Sequence, residues 1–473
     1  MSKKNKYFDC RCGRALQALF SIGIGVGLIL WGVYGFMQHK QIDVDAILAN
    51  SVLKNRQFAS KVQQVESGDL SAYLMEEHSN PIVSISFMFQ NSGRAHEPEG
   101  KQGLVSVLVD VLKKGAGEYR AEAFIDMCSE YGVNISFEAG LDEISGELQF
   151  PKKHLQTAVK LFHAVLTAPH FEEKYLQLSK EQHVLAITMK QEKIRSFAAD
   201  KFKEIYFAGH PYAKPTIGTI EDIQTLSADD LRQYMQNTMA RDNLLVAVAG
   251  DLTADETAEL LRALFADLPA QANVHDLAKI QIKSNGQQYY NAFRAAQMYV
   301  MFAVPGVYRQ DADFYPLYLA NYIFGSSGLE ARLNKSIREK EGLTYGLYTY
   351  LGINDASSRV EGAFSATPEN LPRAMELLEA EWRKMGEGTI TAEELQKAKD
   401  SILASSNLRY AAIDGISDLL LRMQEYNLGI DFLEKREGYI KQTTLQQVND
   451  AARKYFSVLP DFVITGEQNK ENN

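Results

Sequence analysis

Two side chains in the second half of the sequence can stabilise negative charge on a reacting carbonyl. Arg338 and Tyr345 are seven residues apart, and a guanidinium and a phenolic hydroxyl both donate hydrogen bonds. Such donors can hold a peptide carbonyl and stabilise the oxyanion that forms on it, while a metal and a base are supplied elsewhere. The simpler interpretation is that Arg338 pairs with Glu339 or Glu341 at a solvated helix end, and that Tyr345 packs in a strand.

Side chains that could bind a metal do not form a recognisable set. Two imidazoles at positions i and i+4 of a helix share one face and can hold zinc, and a carboxylate beside them can activate the bound water. The spacings of 9, 7 and 13 between His154, His163, His170 and His183 place no two of them on one helical turn. We therefore expect these histidines on the surface or in packing, and Cys128 as buried packing rather than as a nucleophile.

Length and charge limit the class of protein. The chain has 473 residues, of which 45% are hydrophobic, so it can bury large cores in about two to four structural units. Its formal net charge of −10 argues against nucleic acid as a partner.

The N-terminus differs in composition from the rest of the chain. Residues 15–37 carry no charge and are long enough to cross a hydrocarbon core of about 30 Å as one helix. Five basic residues precede this segment, which favours a cytoplasmic N-terminus. A cleaved signal peptide is the alternative, but its nearest small-residue site is far downstream, at Ala49–Ser51. The sequence predicts a single-pass anchor in a bacterial inner membrane, with the body in the periplasm.

Hydrophobic periodicity predicts strands alternating with helices in two similar halves. Among the predicted elements are helices over 101–114 and 120–130, strands over 133–137 and 143–150, and long helices over 371–384 and 392–426. The segments at 231–251 and 448–467 correspond at an offset of about 216, which indicates an internal duplication.

Several segments together resemble the pitrilysin/insulinase (inverzincin) zinc metallopeptidases of the two-domain, processing-peptidase-like type. They are NSGRAHEPEGKQGL, AGHPYAKPTIGT, AVAGDL and, most specifically, SGLEARLNKSIREKEGLTYGLYTYL. The resemblance covers roughly residues 65–468 and implies an α+β clam shell of two duplicated units. Each unit would be an antiparallel-rich sheet covered by helices on one side, and one transmembrane helix would precede them.

The domain organisation expected on this basis has seven parts. They are a cytoplasmic tail (1–14), a transmembrane anchor (15–37), a stem (38–64), an N-terminal peptidase-like domain (65–266), a linker (267–295), a C-terminal peptidase-like domain (296–468) and a short tail (469–473).

The resemblance places the family's H-x-x-E-H metal motif at a helix that lacks its chemistry. The three positions hold Ser106, Val109 and Asp110. Serine is a poor zinc ligand, and valine cannot accept a proton, so the general-base role is empty. Asp110 can coordinate a cation, but one carboxylate is not a site.

The third ligand of the family is a glutamate on a later helix. The matching position falls at or near Ala186, and a shift in register would offer Glu192 or His183 instead. Because a catalytic zinc normally needs three protein ligands, we expect no metal bound by this chain alone.

The family also has an arginine and a tyrosine seven residues apart, in a segment resembling R-E-K-x-G-L-x-Y, in the domain opposite the zinc. Arg338 and Tyr345 match both the residue types and the spacing, so the resemblance favours their functional interpretation. It implies a membrane-anchored, non-catalytic subunit of a heterodimeric periplasmic zinc peptidase. A homologous partner with an intact H-x-x-E-H motif would hold the zinc, and extended peptides would be the substrate.

Two alternatives remain open. The chain could be a structural or peptide-binding scaffold of the same fold, or a stand-alone hydrolase with an unrecognised site. Residues 134–138 bear on the scaffold alternative, because they resemble the family's cleft strand and could pair with extended peptide backbone. They could equally be a plain sheet edge.

Overall fold

The computed structural model describes residues 61–409 and 412–467, which lie in one compact unit. The strands are β1 Gln63–Ser67, β2 Leu70–Glu76, β3 Ile82–Gln90, β4 Gly115–Ala116, β5 Tyr119–Arg120, β6 Asn134–Ala139, β7 Glu143–Pro151, β8 Leu244–Gly250, β9 Gln288–Asn291, β10 Met298–Pro305, β11 Tyr345–Ile353, β12 Ser358–Ala366 and β13 Asp461–Thr465.

The α-helices of the first half are α1 Leu104–Val111, α2 Ala121–Tyr131, α3 Leu155–Thr167, α4 Glu173–Gln191, α5 Ile194–Tyr206, α6 Ile220–Thr225, α7 Ala228–Thr238 and α8 Ala254–Phe265. Those of the second half are α9 Phe314–Asn321, α10 Leu371–Gly386, α11 Ala392–Arg409, α12 Ile413–Glu425, α13 Phe432–Gln442 and α14 Leu445–Tyr455. The first half denotes the part of the chain through α8, and the second half the part from β9 onward.

Each half contains one large sheet. Sheet 1 has the strand order β1-β2-β8-β3-β7-β6, and sheet 2 has the order β11-β12-β10-β13-β9. One pair in each sheet is parallel, β2 with β8 and β13 with β9, and the remaining pairs are antiparallel. The predicted two-domain α+β fold is confirmed, and the matching strand orders agree with an internal duplication.

The duplication extends to the glycines that end equivalent strands. Gly250 and Gly466 have φ angles of 131° and 147°, in a region that L side chains rarely adopt. A Cβ atom on Gly250 would lie 2.2 Å from the carbonyl oxygen of Ile82, and one on Gly466 would lie 3.0 Å from Cγ of Met298. Both strands therefore end where a neighbouring strand leaves room for glycine alone.

Aromatic side chains form the centre of each hydrophobic core. In the first half the Phe87 ring packs edge-to-face on Phe162, with ring centroids 5.1 Å apart. In the second half Phe302 and Trp382 make the corresponding contact at 6.0 Å. These rings join a strand of each sheet to a helix of the same half, so each half buries its own core.

The opposite face of sheet 2 is covered by a helix of the first half. Helix α5 packs on β10 and β13, and the Tyr206 hydroxyl at its end reaches both strands. This hydroxyl accepts a hydrogen bond from the Ala303 amide at 2.9 Å and lies 2.6 Å from the Asp461 carbonyl oxygen. A single hydroxyl of the first half thus satisfies buried backbone groups of the second.

In the same way, a helix of the second half covers one face of sheet 1. Helix α12 of the second half packs on β2, β3 and β8. Its Ser417 hydroxyl lies 2.9 Å and 2.8 Å from the hydroxyls of Ser84 and Ser86 on β3, and the Gln424 amide donates to the Val246 carbonyl at 2.6 Å. Because these serines are small and buried, the helix approaches the sheet closely.

Two expectations about the helices are corrected. Helices cover both faces of each sheet rather than one, because β3 and β10 are buried along nearly their whole length and need cover on both sides. The long helix expected over 392–426 is two helices, α11 and α12. Ala412, which precedes α12, has extended backbone angles (φ −109°, ψ 152°) that cannot continue a helix.

The transmembrane part of the expected fold class is also corrected. No helix within residues 61–409 and 412–467 is long and apolar enough to cross a membrane, and the segment 15–37 lies outside the described residues. The fold class is therefore restricted to the two α+β units, and the expected location as a single-pass inner-membrane protein with a periplasmic body is withdrawn.

Strand β9 was not anticipated from the sequence. It lies inside the segment 267–295 that was expected to be a linker, and it pairs in parallel with β13 at the end of sheet 2. Its four residues, Gln288–Asn291, are too few for a hydrophobic alternation to stand out.

We expect Tyr206→Phe to lower the free energy of unfolding by about 1–3 kcal/mol, because it leaves the buried Ala303 amide without an acceptor. Urea unfolding at neutral pH measures the change. Tyr439→Phe is the matched control, since that ring is 42% exposed and should change stability little. Equal stabilities of the two variants would show that the exchanged helix does not depend on this hydroxyl.

Candidate functional site

Helix α1, which carries three of the predicted metal-site positions, is held at its N-terminus by a buried carboxylate. Glu97 is 6% exposed and accepts hydrogen bonds from the amides of Gly103 at 2.9 Å and Val105 at 2.8 Å. Burial raises the pKa of Glu97 to about 7 despite these bonds. The first-turn amides of α1 are thus satisfied by an internal group.

The structure brings α1 against α4, as a shared site requires. The Asp110 carboxylate lies 3.5 Å from Nδ1 of His183 and accepts a hydrogen bond from the Ser179 hydroxyl at 3.3 Å. Of the alternative third ligands, His183 therefore reaches the site, whereas Glu192 lies beyond the last residue of α4. Ala186 is exposed.

These side chains do not suit zinc. Ser106 is buried and neutral, Val109 has no donor atom, and only Asp110 and His183 remain, one short of the usual three ligands. No group of three or more metal-binding side chains occurs within residues 61–409 and 412–467. We therefore derive no chemical step through a metal bound to this chain.

Ser179, His183 and Asp110 have the residue types of a hydrolase triad, but their geometry does not permit its chemistry. In a triad, one ring nitrogen takes the proton of the serine and the other faces the carboxylate. Here Nδ1 of His183 makes both contacts, at 3.5 Å to the Ser179 hydroxyl and 3.5 Å to Asp110. The same nitrogen lies 2.9 Å from the Ser179 carbonyl oxygen and donates to it. Since Ser179 is also buried, it cannot act as a nucleophile in this arrangement.

The other three histidines of the predicted group, His154, His163 and His170, lie apart from this cluster. His163 contacts Asp267 at 2.9 Å, His170 contacts the Gly117 carbonyl at 2.7 Å, and His154 packs on the Tyr131 ring. Each makes a local contact of the kind expected for surface and packing residues.

The segment that carries Arg338 is anchored on two sides. The Arg332 guanidinium makes a two-pronged ion pair with Glu394, with both N–O distances 2.7 Å. The Asn334 amide donates to the Gly328 carbonyl at 2.9 Å and to the Leu347 carbonyl at 3.0 Å. These bonds tie the turn of helix over Asn334–Glu339 to α11 and to β11.

Arg338 and Tyr345 both face solvent. Tyr345 is 66% exposed at the start of β11, and Gly346 has a φ of 67° at an irregularity between Tyr345 and Tyr348. Arg338 is exposed and forms no ion pair within the described residues; Glu341 lies 3.7 Å from Arg373 instead. The simpler interpretation paired Arg338 with Glu339 or Glu341 and packed Tyr345 in a strand; the described residues show neither ion pair, and Tyr345 lies in β11 with its ring exposed.

The structure places the two predicted sets of residues in different halves. Ser106, Val109 and Asp110 lie on α1, whereas Arg338 and Tyr345 lie beside and on β11. Among the described residues, no hydrogen bond or ion pair joins the two sets.

Sequence reasoning missed how the edges of the sheets are protected. The carbonyls of Ile135 and Ala139 on the edge strand β6 accept hydrogen bonds from Lys113 at 2.8 Å and from Arg94 at 2.6 Å. Residues at alternate positions of an antiparallel strand face the same side, so Phe137, between them, also directs its backbone to this edge. Charged side chains at a sheet edge commonly prevent unwanted strand pairing. The positions of Lys113 and Arg94 in the sequence do not reveal that they contact β6.

The equivalent edge strand β11 is covered differently. The carbonyl of Leu347 accepts from Asn334, and that of Thr349 accepts from the Ser326 hydroxyl. A Cβ atom on Gly325 would lie 2.3 Å from the Thr349 hydroxyl oxygen. Side chains therefore cap carbonyls at both edges, and at β11 the Gly325 backbone also packs closely on the Thr349 side chain.

Two family profiles match this chain. The profile of the insulinase family (peptidase family M16) matches residues 73–220, and the profile of the peptidase M16 inactive domain matches residues 225–402. A non-peptidase homolog, YmxG of Helicobacter pylori, is 23% identical over 82% of this chain and 89% of its own length. An uncharacterized zinc protease of Bacillus subtilis, also called YmxG, is 21% identical over 80% and 92%.

Solved structures show the same fold. A peptidase M16 inactive domain from Pseudomonas fluorescens superposes with a TM-score of 0.79 and 22% identity, over 86% of this chain and 98% of that chain. A protease from Helicobacter pylori superposes with a TM-score of 0.75 and 16% identity, over 86% and 99%.

We expect the combined change Ser106→His, Val109→Glu, Asp110→His and Ala186→Glu to create a zinc site, because α1 and α4 already pack together. Competition with a chromophoric chelator measures the affinity. Its control keeps Ala186, which leaves two histidines, and should bind zinc at least about tenfold more weakly, as a ligand is missing. A folded four-site variant that binds no better than this control would contradict the expected position of Ala186.

We expect Glu394→Gln to lower stability by about 0.5–1 kcal/mol at pH 7. Burial alone would raise the pKa of Glu394, but its bonds to Arg332 and to the Thr391 amide lower that pKa to about 2. Its stabilising contribution is therefore present above its ordinary pKa of 4.5 and lost as the pH falls towards 2.

The difference in unfolding free energy between wild type and Glu394→Gln should accordingly shrink between pH 5 and pH 3. The control is Glu393→Gln, on the neighbouring side chain that is 77% exposed. A difference that stays constant across this pH range would exclude the ion pair as its cause.

Proposed function

This chain belongs to the insulinase family of peptidases (peptidase family M16), and we propose that it is a non-catalytic subunit that pairs with a zinc-bearing homologue. In this pair Arg338 and Tyr345 bind the peptide and stabilise the oxyanion, while the partner supplies the zinc and the general base. The observation that carries the proposal is that both side chains face solvent while Arg338, although flanked by Glu339 and Glu341, has no carboxylate partner in the described residues.

The electrostatics of the segment support this role. A guanidinium that is already paired stabilises a developing negative charge less, and the nearby Glu341 lies 3.7 Å from Arg373 rather than in an ion pair with Arg338. The bonds of Arg332 and Asn334 anchor the same segment, so Arg338 projects from a supported backbone. Preorganised donors stabilise a transition state because they need little rearrangement when charge develops.

The incomplete metal site supports the need for a partner. Asp110 and His183 are too few for a catalytic zinc, and Val109 cannot serve as the base. The Helicobacter pylori relative is named a non-peptidase homolog, which fits a member of the family that does not cleave peptides alone. The intact H-x-x-E-H motif and the zinc are assigned to the partner.

A scaffold that only binds peptides is the second candidate, and β6 favours it. Two side chains, Lys113 and Arg94, cap the carbonyls of Ile135 and Ala139 at this edge, and an extended peptide would replace these bonds when it pairs with the strand. Binding of unfolded peptides by the isolated chain, unchanged by Arg338→Ala, would support this candidate. A stand-alone hydrolase is disfavoured, since Ser179, His183 and Asp110 cannot relay a proton.

Reconstitution with a homologue that carries H-x-x-E-H tests the proposal. We expect metal-dependent cleavage of extended peptides by the pair. Arg338→Ala or Tyr345→Phe should lower kcat by about 100- to 1000-fold, the usual cost of losing one oxyanion donor. Size-exclusion chromatography should show that these variants still assemble.

Arg383→Ala and Tyr439→Phe are the matched controls, because both side chains are exposed in the second half away from β11. Their pairs should retain wild-type turnover. Full activity of the Arg338→Ala, Tyr345→Phe double variant in the reconstituted pair would falsify the shared site. Chelator-sensitive cleavage by the purified chain alone would instead show that no partner is needed.

A further inference from the structure

A positively charged cavity lies at the junction of the two halves. It has a volume of about 240 Å³ and is lined by residues of both halves. Its charged lining consists of Arg94, Lys203 and Lys214 from the first half and of Arg359 and Glu361 from the second. Four cations therefore face one carboxylate.

That carboxylate is already engaged. Glu361 lies 2.6 Å from Nε of Arg359 and accepts a hydrogen bond from the Tyr350 hydroxyl, also at 2.6 Å. Arg359 makes a further bond to the Asn354 side chain at 3.0 Å and lies over the Phe207 ring. Glu361 therefore neutralises Arg359 and leaves the other three cations to other partners.

Lys203 is partly neutralised from outside the cavity. Its ammonium lies 3.0 Å from Asp200 and contacts the Thr216 hydroxyl, which also lines the cavity. Asp200 is shared with Lys190 at 3.1 Å, so one carboxylate serves two lysines. Burial lowers the pKa of Lys203, as expected for a charge that is not fully compensated.

Arg94 and Lys214 have no acidic partner within ion-pair distance among the described residues. The Arg94 guanidinium donates one hydrogen bond, to the Ala139 carbonyl, while its Nε is buried without a partner within that part of the chain. Lys214 donates to the Glu97 carbonyl at 3.3 Å. The Glu97 carboxylate itself is held by the amides of Gly103 and Val105.

Burial of unpaired charge is costly unless an opposite charge is supplied. Burial lowers the pKa of Arg94, and the fields of Glu97 and Glu143 offset this only in part. Phe202, Phe207 and Met301 add apolar side chains to the lining, and charge interactions are stronger beside apolar groups than in bulk water. The cavity is thus arranged for an anion.

Size and charge define the class of anion. The volume of about 240 Å³ is below the roughly 300–1,000 Å³ of pockets for drug-sized ligands, so the cavity suits a small ion or one charged end of a larger molecule. Arg94 and Lys214 lack a carboxylate partner, and their two positive charges would balance the two negative charges of a dianion. A tetrahedral oxyanion also has enough acceptors for the Arg94 Nε, both ammonium groups and the Thr216 hydroxyl.

We propose that this cavity binds a phosphoryl dianion, either free phosphate or the terminal phosphate of a larger molecule, between Arg94 and Lys214. Lys203 and Arg359 complete the positive wall. Because the lining comes from both halves, the bound anion ties the first half to sheet 2. The site does not involve Arg338, Tyr345 or any partner chain. Failure of the peptidase proposal would therefore not contradict the anion site, and failure of the anion site would not contradict the peptidase proposal.

Thermal unfolding of the full chain at pH 7.5 and constant ionic strength tests the site. Potassium phosphate should raise the melting temperature in a saturable way, and potassium chloride should not. Isothermal titration calorimetry on the same protein gives the Kd. Lys214→Gln and Arg94→Gln should each weaken phosphate binding at least tenfold.

Lys201→Gln is the matched control, since Lys201 lies on the same helix, α5, and pairs with Glu204 outside the cavity. It should bind phosphate as wild type does. ATP separates the two sources: tighter binding than phosphate, lost in Lys214→Gln, assigns a nucleotide phosphate, whereas equal or weaker binding assigns the free ion.

Two results overturn the proposal. One is a phosphate shift no larger than that of chloride at the same ionic strength. The other is equal phosphate affinity of wild type, Lys201→Gln and Lys214→Gln. If Arg94→Gln fails to fold, Lys214→Gln alone tests the site. We expect Lys214→Gln to fold, because the described side-chain bond of Lys214 is one to a backbone carbonyl.

Discussion

The exchange of one helix between the two halves is the constraint on which the rest of the structure depends. Strands β3 and β10 are buried on both faces, and each half has helices of its own to cover one of these faces. Helix α5 covers the second face of sheet 2, and α12 covers the second face of sheet 1. Unfolding of either half would expose one face of the other half's sheet, which couples the stabilities of the two halves.

The junction between the halves also positions chemistry. The turns after β6 and β11 meet where the Asp142 carboxylate accepts bonds from the Tyr212 hydroxyl and from the Asp355 amide. The Tyr212 hydroxyl in turn accepts from the Ala356 amide at 2.9 Å. These bonds fix the edge strands of both sheets relative to each other, and the cationic cavity lies in the same junction.

The metal positions of α1 have changed without loss of the scaffold. The helix is held by Glu97 and by its buried apolar side chains, such as Leu104 and Leu108, none of which would contact a metal. Ligand loss therefore removes chemistry and leaves the packing intact. The two halves differ at their edge strands: Lys113 and Arg94 cap the carbonyls of β6, whereas the segment that caps β11 through Asn334 also carries Arg338.

Sequence alone was sufficient for the features that depend on local pattern and motif. Hydrophobic periodicity and the repeat near 216 residues gave the two α+β units, and the residue types at Ser106, Val109, Asp110, Arg338 and Tyr345 located the altered motif and the matched pair. Only the tertiary structure decided which contacts these residues make. The packing of α5 and α12 on the opposite half joins residues that are distant in sequence. The contacts of His183 Nδ1 with both Ser179 and Asp110, the contact of Glu341 with Arg373, and the lack of an acidic partner for Arg94 depend on the direction of each side chain. Such contacts are set by packing between elements, which no local pattern encodes.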